Sequence, residues 1–214
     1  MLAEVILAAL ILLVTFAFIV TRQRRAAVST YAVQSWLLGG VAIALFADSG
    51  LIELLLFGIL TIVVKGIVVP QILRRRTAFA MSGRRETSYY VRFPTALLIG
   101  AGLTLTGFIA ATRIPYPHQL LPESVLGIAL AVLLLGLFTT KARRDAILQV
   151  TGLLAAENGL LLVGLVLAPS LSLLIEFAIV LDVLIAVLVM GFLVARMHQE
   201  VSSTDTTELT RLRG

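Results

Sequence analysis

An all-α membrane bundle of seven helices, N-terminus outside and C-terminus cytoplasmic, is the architecture this sequence predicts. Three observations carry that prediction. Apolar residues make up 59% of the 214-residue chain and charged residues only 14%, against roughly 45–50% and about 25% in ordinary globular domains. A chain of this size has too little interior to hide so much apolar surface from water. The apolar residues fall into seven nearly uncharged runs, each close to the ~20 residues a helix needs to cross a bilayer. All of the 17 basic residues but Lys65 and Arg113 lie in alternate connections between those runs.

The runs follow one another with little between them. The first, Leu2–Thr21, opens Met1-Leu2-Ala3-Glu4 without a basic leader and shows no small-residue cleavage site before Arg22, so a retained span is expected there. Arg22, Arg24 and Arg25 separate it from the second, Ala26–Ala47. Asp48-Ser49-Gly50 leads to the third, Leu51–Leu73, which ends on Arg74, Arg75 and Arg76. The loop Arg74–Arg92 adds Arg84 and Arg85, with Phe79, Tyr89 and Tyr90, and suits an orientation determinant with interfacial aromatics or a docking loop. The fourth run, Phe93–Thr112, and the fifth, Leu120–Thr140, flank the proline-rich Arg113–Gln119. Lys141, Arg143 and Arg144 precede the sixth, Ala146–Ala168. A turn at Pro169 leads to the seventh, Ser170–Ala195, and Arg196, Arg211 and Arg213 follow in the polar tail. Positive charge stays on the cytoplasmic side, which fixes the expected orientation and demands an odd number of spans. Short connections make sequential helices antiparallel neighbours.

The same residues exclude several chemistries. No cysteine is present, so no thiolate cage for an iron–sulfur cluster or nickel is available. The two histidines, His118 and His198, fall in connections on opposite sides of the predicted membrane and cannot share a haem. No glycine-rich loop joins a strand to a helix, so no nucleotide fingerprint appears. The net charge of +5 follows from topology and does not imply nucleic acid. No cofactor, metal or catalytic residue is expected in this chain.

What stands out is charge inside the runs. Glu157 lies twelve residues beyond Asp145 and twelve before Pro169, and Asp182 lies twelve beyond Ser170. On antiparallel helices joined at Pro169 the two acids fall within about one turn of the same depth. Lys65, fourteen residues past Leu51, falls at a similar depth, and Glu176 lies nearer the outer face. Each ionisable group at a bilayer centre costs about 2.5–3.5 kcal/mol. Apolar residues would avoid that cost, which points to a proton or ion pathway through Lys65, Glu157 and Asp182, with Glu176 a further candidate. A structural polar cluster, with Lys65 paired to one acid, is the competing explanation. Gln149 and Asn158 add polar support on the sixth run. Gly152, Ala155, Ala156 and Gly159 form a small-residue seam for close helix packing. Pro70 frees the carbonyl of Gly66 from its helical partner, giving either a plain kink or a hydrated break beside Lys65.

Several stretches carry a resemblance in order and spacing: Tyr31-Ala32-Val33-Gln34-Ser35, Lys65-Gly66-Ile67-Val68-Val69-Pro70, Gln149-Val150-Thr151-Gly152, Glu157-Asn158-Gly159, Glu176 with Asp182, and the ending Leu209-Thr210-Arg211-Leu212-Arg213-Gly214. Over essentially its whole length the chain resembles the hydrogenase-4 component E family, membrane subunits of formate hydrogenlyase-type complexes. The last three runs are also similar to the K subunit of respiratory complex I and its antiporter counterpart. Arg143-Arg144, Gly152 and Asn158 match positions there, and Asp182 stands at that subunit's second membrane carboxylate. Leu154 stands where its first glutamate would be, with Glu157 one turn later. The resemblance implies a four-helix region at 1–119, a three-helix region at 120–195 and a cytoplasmic tail at 196–214. It also implies a non-catalytic inner (plasma) membrane subunit bridging antiporter-like subunits, with redox chemistry on peripheral partners. A purely structural scaffold, and a component of a multisubunit cation/proton antiporter, are the alternatives. A lone seven-helix retinal protein fits poorly, since its lysine belongs where Asp182 stands.

Overall fold

The computed structural model describes residues 2–21, 23–79, 93–115, 120–143 and 145–169, all within one compact unit, Met1–Glu176. The seventh run, the tail, Glu176, Asp182, His118 and His198 lie outside the described residues, as does the loop from 80 to 92. The helices are α1 (Leu2–Val20), α2 (Arg24–Ser49), α3 (Ile52–Leu60), a π-helical stretch (Thr61–Val68), α4 (Val69–Phe79), α5 (Phe93–Ala111), α6 (Glu123–Ala142) and α7 (Ala146–Leu167). The π-helical stretch joins α3 to α4 in one rod, whose membrane-length part is Ile52–Arg75. Among the described residues, six helices are long and apolar enough to cross a membrane. The protein is a multi-pass helical membrane protein.

Hydrocarbon offers no partner for backbone N–H and C=O groups, so an apolar run must satisfy them within itself as helix. The hydroxyls scattered along the runs do the same. Thr15 donates to the Ile11 carbonyl (2.7 Å), Thr104 to Gly100 (2.9 Å) and Thr139 to Leu135 (2.8 Å). The ends have local causes. Gly50 takes φ 73° and donates its N–H to the Phe46 carbonyl, closing α2. The Asp145 carboxylate accepts from the N–H groups of Ile147 and Leu148, capping α7. The third span departs from the expected boundary at Leu73, because its helix continues to Phe79. Arginine is a good helix former, so Arg74–Arg76 mark where the membrane ends and not where the helix does.

Helix α2 lies at the centre of one group, touching α1, α3, the π-helical stretch, α4 and α7; α6 joins α1, α5 and α7. Glycines set the closest approaches. A Cβ on Gly39 would stand 2.8 Å from the Gly58 carbonyl oxygen, and one on Gly58 equally close to that of Gly39, so α2 and α3 touch backbone to backbone. Gly152 faces Thr140 of α6, with the Thr140 nitrogen 2.8 Å from where a Cβ would sit, and Gly159 packs as tightly on Val132 and Leu133. Ile19, Ala96 and Leu135 tie α1, α5 and α6 together beneath Phe16 and Phe138. Outside this core, Leu13, Leu98, Leu105 and Leu153 stand exposed, as a bundle meeting lipid or neighbouring subunits requires.

Candidate functional site

Two charges from separate spans meet inside the bundle. Lys65, in the π-helical stretch, donates through Nζ to Glu157 Oε1 on α7. Lys65 is 1% exposed, and the Glu157 side chain keeps 13% of its surface. Taking two ions out of water costs several kcal/mol each, and only close contact with the opposite charge offsets it. Replacing both by apolar residues of similar volume would generally be neutral or stabilising. A carboxylate touching an ammonium is also a pair across which a proton can pass, because either group can hold it.

The backbone around Lys65 has an identifiable cause. Pro70 has no N–H to offer Gly66 four residues back or Lys65 five residues back. The Val69 N–H, immediately before it, reaches Val64, five residues back, in the wider π-helical turn. The expected kink or break at Pro70 therefore takes the form of a continuous widened helix over Thr61–Val68. Wide turns of this kind are frequent at functional sites. The Cδ1–Nε1 edge of the Trp36 indole on α2 lies against Gly66, where a Cβ would strike it, so a larger residue after Lys65 would force the indole to move. One turn before Lys65, the Thr61 Oγ1 is buried without a hydrogen-bond partner among the described residues.

The neighbour of Glu157 belongs to a second polar group. Asn158 Nδ2 donates to Gln34 Oε1 (3.2 Å) and to Ser35 Oγ (3.1 Å), both on α2. Gln34 Nε2 in turn donates to Thr15 Oγ1 on α1 (2.8 Å), whose own proton goes to Ile11. Thr15, Gln34, Ser35 and Asn158 are all fully buried. Gln149 is not part of this group. It lies eight residues before Glu157, about 12 Å along the helix, and its amide donates to the Arg143 carbonyl (2.8 Å).

That end of α7 holds a separate cluster. Arg24 contacts Asp145 at 2.6 Å, and the guanidinium of Arg143, 2% exposed, donates to the Phe18 and Ile19 carbonyls at the C-terminal end of α1. A cation at a helix C-terminus is favourable to the helix dipole. Of the predicted site residues, then, Lys65 and Glu157 come together; Asn158 adjoins them; Gly152 and Gly159 face α6; Gln149 caps the turn before α7. Glu176 and Asp182 lie outside the described residues. Sequence reasoning did not single out Thr15, Gln34 and Ser35 as members of a site. The available signal was Gln34 itself, an amide in mid-run, where no water can satisfy it.

No protein-family model matches the chain, and no solved structure matches it. An uncharacterized protein of Mycobacterium tuberculosis is 31% identical over 160 residues, covering 75% of this chain and 73% of the relative. Hydrogenase-4 component E of Escherichia coli (strain K12) is 28% identical over 209 residues, 97% of this chain and 96% of that protein. The Shigella flexneri protein of the same description matches to the same extent.

Proposed function

We propose a function from one premise: the chain belongs to a hydrogenase-4 component E-like family. On this reading it is a non-catalytic integral subunit of a hydrogenase-like, complex-I-related assembly in the inner (plasma) membrane. It bridges antiporter-like subunits and contributes buried charge to redox-coupled proton or cation translocation, while redox cofactors reside on other subunits. Seven spans with a cytoplasmic C-terminus belong to the same proposal.

The observation that carries it is the contact of Lys65 with Glu157 between two membrane-length helices. Lipid-compatible packing has no need of this pair, and each charge is expensive at that depth. In the proposed mechanism Glu157 takes up and gives up a proton through transient water, and Lys65 sets its proton affinity. Asp182 and Glu176 join the relay on their sequence spacing alone. A structural scaffold is the second reading. It is favoured by the Asn158–Gln34–Thr15 chain, which holds helices together with no titratable group in it.

Purification of the tagged chain in mild detergent tests the assignment. Hydrogenase-like and antiporter-like subunits should come with it. An isolated chain that is monodisperse and exchanges ions by itself in liposomes contradicts the accessory-subunit reading.

A further inference from the structure

Glu157 and Asn158 are consecutive on α7, so their side chains leave the helix about 100° apart. One meets the π-helical stretch and the other meets α2. The rotation of α7 about its own axis therefore decides both contacts together. At the ~5 Å radius of a helical side chain, a rotation of about 20° displaces the carboxylate by about 2 Å, enough to break its contact with Lys65.

Against α6, α7 is held by Gly152, Ala156 and Gly159 on a smooth seam. Such a seam sets the distance between the helices, and its contacts are chiefly non-directional van der Waals packing. The contact with α2 is of another kind. Thr15 commits its only proton to the Ile11 carbonyl, which leaves its oxygen to accept from Gln34 Nε2. That turns Gln34 Oε1 toward α7, where it receives one proton of the Asn158 amide while Ser35 Oγ receives the other. Each link has one donor and one acceptor, all four side chains are fully buried, and hydrogen bonds weaken steeply when misaligned. Among fully buried groups this makes a directional lock on the rotation of α7.

We infer that Gln34, oriented by Thr15, is a positioning residue for the Lys65–Glu157 pair. It acts through Asn158 by fixing the rotation of α7. The inference rests on the proposed role of that pair, but its test reads the pair directly and not through ion movement.

The experiment uses the purified membrane complex and the infrared carboxylate band of Glu157, assigned by its loss in Glu157→Gln. The frequency of that band responds to the counter-ion. Lys65→Met sets the direction of the shift for a lost counter-ion, and Lys65→Gln, which keeps a hydrogen-bond donor, sets it if the methionine variant fails to accumulate. Gln34→Leu and Thr15→Val should move the band the same way by a smaller amount, whereas Thr15→Ser, which keeps the hydroxyl, should leave it in place. A packing role reverses that order, because valine preserves the volume of threonine and serine does not. If Gln34→Leu fails to accumulate, the Thr15 pair decides alone. A band moved by Thr15→Ser as far as by Thr15→Val, or moved by neither, overturns the inference. A band that moves while coupled ion translocation persists upholds the positioning role and removes the proposed function instead.

Discussion

Two groups of charged residues among the described residues, Lys65 with Glu157 in the interior and Arg24, Arg143 and Asp145 at helix ends, are treated differently. At the ends Asp145 and Arg143 act on backbone, and Arg24 holds Asp145. Asp145 caps α7 while holding Arg24, and Arg143 sits on the last carbonyls of α1. Those groups close helices that would otherwise leave backbone polar atoms unsatisfied, so the charges have a structural purpose independent of any ion. In the interior Lys65 and Glu157 cap no helix end and meet each other side chain to side chain. Position along a span thus separates charges that close helix ends from a charge pair that closes none.

The comparison can be broken first where the expected effect is largest. Lys65→Met leaves the Glu157 carboxylate buried without its ammonium. It should destabilise the protein by about 3–5 kcal/mol, seen as lost accumulation or a lower unfolding temperature in detergent. Arg143→Leu takes a charged donor from the end of α1 and should cost about 1–3 kcal/mol, with partial recovery in Arg143→Lys. Asp145→Asn should cost less than about 1 kcal/mol, since asparagine caps a helix as well as aspartate and only the part-exposed pair with Arg24 is lost. Asp145→Ala, which loses both, should be the worse of the two in the same unfolding assay. The smallest perturbation tests which end faces the cytoplasm. The chain has no cysteine, so Leu51→Cys and Lys141→Cys, both exposed, should be labelled from outside and inside the cell respectively. Labelling of both from one side would break the assignment of the fastening charges to the cytoplasmic end.

Spans were legible in the sequence because hydropathy accumulates over about 20 residues, and each described span falls within a few residues of its apolar run. Their ends were less so. Charge marks where lipid stops, but Arg74–Arg76 lie inside a helix that continues to Phe79. The depths of Lys65 and Glu157 could be counted along the chain, since rise per residue is fixed. Their pairing could not, because it depends on which face each helix turns inward, and nearly uniform apolar runs encode that weakly. The same limit hid the Thr15–Gln34–Asn158 chain. Most serines and threonines in these runs bond their own helix, so nothing in Thr15 alone distinguishes it from Thr104. Arg143 read as one more cytoplasmic charge, and its place on the end of α1 is a tertiary fact with no local signal.

The proposed role of Lys65 and Glu157 is ion movement. Its most direct test is the double variant Lys65→Met, Glu157→Gln in the complete membrane complex. Removing both charges keeps the net charge of the pair unchanged, so the complex should assemble with normal electron transfer. Reconstituted in liposomes and driven by its redox reaction, it should transfer electrons while translocating few or no ions. Full translocation by a correctly assembled double variant would contradict the account and leave the pair a structural contact.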